Sequence, residues 1–158
     1  MSKIFNSLYF DDIAIQLAYK NLIAEWVKKE PIVSVFDEEI SVVDADDDIE
    51  SEPDLPAIFV TVFQNGIRNA DSLDKQNYST FTVELEIYTS GKNKATKNKN
   101  LCNAMIALLQ SAGYIDNVYF SEGLTFESNN EVGSGLEDVY RRVVRMSGQC
   151  DNLTKHIK

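Results

Sequence analysis

From Asn77 to Thr89 the chain alternates, with Phe81, Val83, Leu85 and Ile87 on one side and Thr80, Thr82, Glu84 and Glu86 on the other. Successive side chains of a β-strand point to opposite faces, so a strand written this way has one apolar face and one wet face. Whatever else the chain forms must cover the first face and leave the second to solvent. A helical period precedes it: Ile15, Ala18, Tyr19, Leu22, Ile23 and Trp26 recur at steps of three and four between Asp11 and Lys29. Asp11 or Asp12 is placed to cap that helix, and Lys28 and Lys29 suit its negative end.

Pro31 stops the helix, and Ile32 to Phe36 reads as a short β segment. Ten carboxylates then fall between Asp37 and Asp54 with no Lys or Arg among them. A run of that kind cannot enter a core without unpaired buried charge, so it is expected to be a solvated loop at about 37–54, with Ile40 to Val43 as a strand within it. Pro53 and Pro56 lead into Ala57 to Phe63, whose β-branched and aromatic content marks a buried strand. Gln64 to Gln76 is expected to be a mobile loop.

A second helix is expected from about Lys94 to Ala112, with Leu101, Met105, Leu108 and Leu109 at helical spacing and Gly113 in the position of a left-handed terminator. Its first turns carry Lys94, Lys97 and Lys99, where the helix dipole prefers negative charge. Two accounts of these lysines stand: a solvated half of an overlong amphipathic helix, or an electrostatic docking surface for an acidic partner. Beyond it come Val118 to Phe120, Leu124 to Phe126, a flexible loop over Asn129 to Gly135, and a final strand from about Glu137 to Gly148. In that strand Val139, Val143 and Arg145 alternate against Tyr140, Arg142, Val144 and Met146. Residues 151–158 show no period and are expected to be a flexible tail. The fold class is therefore α+β, a mostly antiparallel sheet flanked by an N-terminal helix and one long central helix, in a single domain over 1–150.

The composition excludes several functions. With 158 residues, 44% hydrophobic and 25% charged, the chain has the make-up of one globular domain. Its formal net charge of -10 repels phosphate backbones, so no specific nucleic-acid binding is expected. Neither a signal peptide nor a stretch of roughly 20 apolar residues is visible, which points to the cytosol where the chain is made and to no membrane partner. Cys102 and Cys150 have neither a disulfide framework nor a zinc spacing and are expected to be free thiols.

Chemistry-bearing patterns fail on inspection. Asp44, Asp46 and Asp48 have the spacing of a calcium loop, yet Ile49 stands where glycine is needed and Leu55 where a bidentate glutamate belongs. Glu84 and Glu86 read as a polar sheet face, not a catalytic dyad. The single histidine, His156, lies in the tail, which leaves no imidazole for a nucleophile pair. Gly133-Ser134-Gly135 lacks the helix a phosphate cradle requires and reads as a hinge. Arg141, Arg142 and Arg145 read as sheet-face or rim residues suited to pairing with carboxylates in an interface. No catalytic residue, metal or cofactor is expected.

The order of parts, with Pro56-Ala57-Ile58-Phe59-Val60, then Thr82-Val83-Glu84-Leu85-Glu86-Ile87-Tyr88-Thr89, a helix reaching Ala107-Leu108-Leu109, and the terminal Val139-Tyr140-Arg141-Arg142-Val143-Val144-Arg145-Met146, resembles the tail-terminator and tail-completion proteins of tailed bacteriophages and phage-tail-like particles. The resemblance covers nearly the whole chain. It implies a homo-oligomer, a six-membered ring on the last tail-tube ring, that halts tube growth and joins tail to neck. The implied partners are the tail-tube protein and the sheath and neck or connector proteins, first in the host cytoplasm and then in the virion, with DNA passing through the ring. Candidate interface residues are Lys94, Lys97, Lys99, Arg141, Arg142, Arg145, Asp46, Asp47 and Asp48. The alternatives are another neck or head-completion subunit and an unrelated intracellular protein-binding module.

Overall fold

A computed structural model describes residues 11–29, 39–44, 53–69, 77–111, 113–115, 120–151 and 156–157. The order is α1 (Asp12–Lys29), β1 (Ser41–Asp44), β2 (Ala57–Asn69), β3 (Asn77–Ser90), α2 (Lys94–Leu109), β4 (Gly113–Tyr114), β5 (Phe120–Ser121), β6 (Thr125–Val132), β7 (Val139–Asp151) and β8 (His156–Ile157). This is α+β, with a mostly antiparallel sheet and two helices. The sheet runs β1-β2-β3-β7-β8-β5-β4, and β6 lies beside β7 as well. Only β1 with β2 and β5 with β8 pair parallel.

The cap at Asp11 is present: its carboxylate accepts from the Ala14 N–H at 2.9 Å, satisfying one of the amides a helix start leaves free. Helix α1 buries Ile15, Ala18, Tyr19, Ile23 and Val27 against β1 and β2, while α2 buries Leu101, Cys102, Met105 and Leu109 against β3 and β7. Both helices lie on the same side. Register makes this plain, because Ile58 pairs with Ile87, Val60 with Leu85 and Val62 with Val83, and Leu85 and Val83 pair onward with Val144 and Met146. All eight belong to one cluster with the helix residues. At roughly 1.5–3 kcal/mol for each fully buried large aliphatic side chain, that single layer dominates the stability. One-sided covering is the ordinary arrangement for an antiparallel sheet.

Several expectations are corrected. Residues 64–69 continue β2 across a bulge between Gln64 and Gly66, so only 70–76 of the expected Gln64–Gln76 loop lies outside the strands, and those residues are not among the described ones. The Asn65 side chain donates to Thr82 Oγ1 at 2.9 Å. Asn129 to Val132 belong to β6 and not to a flexible loop. Helix α2 ends at Leu109 with Gln110 as its right-handed cap, and Gly113 opens β4 instead of terminating the helix. Here the returning chain does the capping: Leu124 N–H donates to Leu109 O at 2.7 Å. Gly123 makes this possible, with φ of 98° and so close an approach that a Cβ there would stand 2.3 Å from Gln110 O.

Asp44 is not part of a solvated run. It is buried at the end of β1, where Gln16 Nε2 donates to its carboxylate and Gln16 Oε1 accepts from Val62 N–H at 2.7 Å. Gln16 thus satisfies a β2 amide at the point where β1 stops. In the expected tail, His156 and Ile157 form β8, with Ile157 fully buried and His156 Nε2 3.3 Å from Glu122 Oε1. The β segment expected over Ile32 to Phe36 lies outside the described residues.

Candidate functional site

The face of the sheet away from the helices carries the most organised surface chemistry. Residues paired across the strands share a face, so the register assigns its rows: Ala57, Tyr88, Arg141 and Val132; then Phe59, Glu86, Val143 and Asn130; then Thr61, Glu84, Arg145 and Ser128; then Phe63, Thr82 and Ser147. Among these none is a lysine, although lysine is the chain's commoner cation. Arginine and aromatic side chains enriched at the expense of lysine are the composition of protein-protein contact surfaces.

The charges on this face are paired in cross-strand order. Arg141 donates through Nη2 to Glu86 Oε1, and Arg145 Nη2 lies 3.6 Å from Glu84 Oε1. Tyr88 anchors the first pair: its ring lies under the Arg141 guanidinium at 5.6 Å and meets Phe59 edge-on at 5.5 Å, and its hydroxyl donates to Glu86 at 3.5 Å. Burial raises the Tyr88 pKa above its ordinary value, and the neighbouring Glu86 charge adds to the effect. Burial works to lower that of Arg141, but hydrogen bonding and attraction to Glu86 outweigh it and hold the guanidinium firmly charged. Half-exposed pairs of this kind add little stability, within about 1 kcal/mol each. Their effect is to fix long side chains in place, so that a partner meets an ordered surface.

Beside the ladder, Ser128, Asn130, Val143 and Arg145 line a shallow concavity of about 190 Å³. At the strand ends the turn joining β6 to β7 is held by its own bonds: Ser134 Oγ donates toward Leu136 O and Val139 O and accepts from Leu136 N–H, while Arg141 Nη1 donates to Gly133 O at 3.3 Å. The expected hinge at Gly133 to Gly135 is thus an internally bonded turn. It presents Leu136 to solvent, 61% exposed.

The candidate residues do not gather into one patch. Arg141 and Arg145 lie on the open face, but Arg142 points to the helix side, where it donates to Asn129 Oδ1 at 2.9 Å, Asn129 O at 3.0 Å and the Tyr140 hydroxyl at 3.0 Å. Lys94, Lys97 and Lys99 sit in the first turns of α2, which contain no acidic residue. Asp46, Asp47 and Asp48 lie outside the described residues. Sequence reading did not single out Phe59, Phe63 or Tyr88 as surface residues. The only signal for Tyr88 was its place on the polar side of the β3 alternation.

Elsewhere, Asn98 of α2 is fully buried and donates to Ile87 O at 2.7 Å and Tyr140 O at 3.1 Å, tying the helix to β3 and β7. Cys102 donates to Asn98 Oδ1 at 3.3 Å, and burial pushes its thiol up to about 12, against a smaller opposing pull from Arg142. Both cysteines are buried and neither is in a disulfide. Among the described residues no group of three or more His, Cys, Asp or Glu side chains is placed to hold a metal ion, and no helix is long and apolar enough to cross a membrane. Compared with known proteins, the chain matches no protein-family model and no curated sequence.

Proposed function

We propose that this chain is a non-enzymatic structural subunit that closes a ring at the head-proximal end of a phage tail or phage-tail-like particle, ending tube growth and joining tail to neck. The observation that carries the reading is the sheet face opposite the two helices, where Arg141 and Arg145 are pinned by Glu86 and Glu84 among Phe59, Phe63 and Tyr88. An arginine and aromatic surface held in fixed rotamers suits protein contact, since less side-chain freedom is lost on binding. The acidic balance suits a ring that DNA traverses without adhering. The layout of helix, strands, helix and long final strand is the one the tail-terminator resemblance implies.

The test is tube assembly. Tail-tube protein polymerised with this chain should give tubes capped at one end and limited in length. Tubes that grow to the same length with and without it, and carry none of it at their ends, would remove the proposal.

A further inference from the structure

No residue of strand β6 is buried. The strand pairs with β7 alone, and its outer edge offers unpaired backbone groups of the kind that template contact with another chain. Three of the six large apolar side chains exposed among the described residues, Phe126, Val132 and Leu136, lie on the hairpin of β6 and β7. Phe126 pairs with Met146 and so stands on the helix side, whereas Val132 and Leu136 line one concavity at the turn, where neighbouring apolar groups mark a surface that a partner covers.

The charge on the hairpin specifies that partner. Glu127, Glu131, Glu137 and Asp138 are all exposed, and no Lys or Arg occurs from Phe120 to Tyr140. The fitting surface is therefore basic with little acid nearby. In a chain of net charge -10 the start of α2 is such a surface among the described residues, with Lys92 just before the helix, Lys94 and Lys99 within it and no acidic residue in its first turn. The hairpin and the helix are different patches, so contact between them on two copies is head-to-tail, the geometry that closes into rings.

Resting on the assembly reading above, we propose that the β6–β7 hairpin of one copy seats on the basic first half of α2 of the next copy. The acidic turn supplies the charge, and Val132 and Leu136 supply the apolar area.

Charge reversal and restoration test it. Three full-length variants are compared with the wild type by sedimentation velocity over a concentration series: Lys92→Glu with Lys94→Glu and Lys99→Glu; Glu131→Lys with Glu137→Lys and Asp138→Lys; and all six together. Circular dichroism verifies that each is folded. Each triple variant should weaken self-association at least about tenfold, and the sixfold variant should recover most of it. Wild-type association should also fall steeply with added salt. Triple variants that assemble like the wild type, or a sixfold variant no better than either triple, would overturn the hairpin-to-helix contact while leaving the ring reading standing. If a triple variant unfolds, the salt series decides, and salt-indifferent assembly overturns the contact. A wild type that never associates removes the ring reading, and this inference with it.

Discussion

Leu85 and Glu84 are neighbours in the chain and sit on opposite sides of one strand, and the two sides follow different physics. On the Leu85 side the rows Val60-Leu85-Val144 and Val62-Val83-Met146 are apolar and sealed by α1 and α2, and their contribution is stability. On the Glu84 side neither α1 nor α2 lies over the sheet, and the side chains are held by partners of opposite charge. Interactions of the first kind are worth several kcal/mol per residue, those of the second a fraction of one. Change on the open side is thus nearly free in folding terms, and what constrains it is whatever it contacts.

That contrast breaks most readily at the core. Leu85→Ala, or Leu109→Ala in the same core on α2, should lower the unfolding free energy by about 2–5 kcal/mol in urea titration. A loss under about 0.5 kcal/mol, the level of an ordinary surface substitution, would mean that the covered face has been assigned to the wrong side. Gly123→Ala should cost about 1–3 kcal/mol in the same titration, since the new methyl would need both an unfavourable backbone conformation and space taken by the Gln110 carbonyl.

The thiol of Cys102 sharpens the contrast by pH. Its pKa is raised on folding from 9.0 to about 12, so the stabilising contribution is complete below about pH 9 and is lost as pH rises through about 12. The urea midpoint should fall across that window, and less so in Cys102→Ala. At pH 8 the folded protein should react with a disulfide reagent only as fast as it opens. Smallest of all, Glu84→Gln on the open face should change stability by less than about 1 kcal/mol, a value that urea titration resolves against the core variants.

The covered side was legible in the sequence because burial imposes a period. The alternation of β3 and the three-and-four spacing of α1 both record which residues meet the core, and the Asp11 cap is a local signal. What escaped reading has no such record. Strand β6 is covered on neither face, so Asn129-Asn130-Glu131 carries the composition of a loop while being held by β7. The bulge at Asn65 hides the last third of β2. Asp44 reads as one more carboxylate in an acidic run until Gln16, distant in sequence, places a donor beside it. The arginines of β7 could be named as interface residues, but their division between two faces depends on strand register, which the mixed polarity of β7 left open.

The central claim is that this chain directs its exposed surface toward copies of itself, and mass reports on that most directly. Native mass spectrometry over a concentration series, alone and with tail-tube protein, should show a species of six times the chain mass. A single-chain mass at every concentration and in both settings would contradict it.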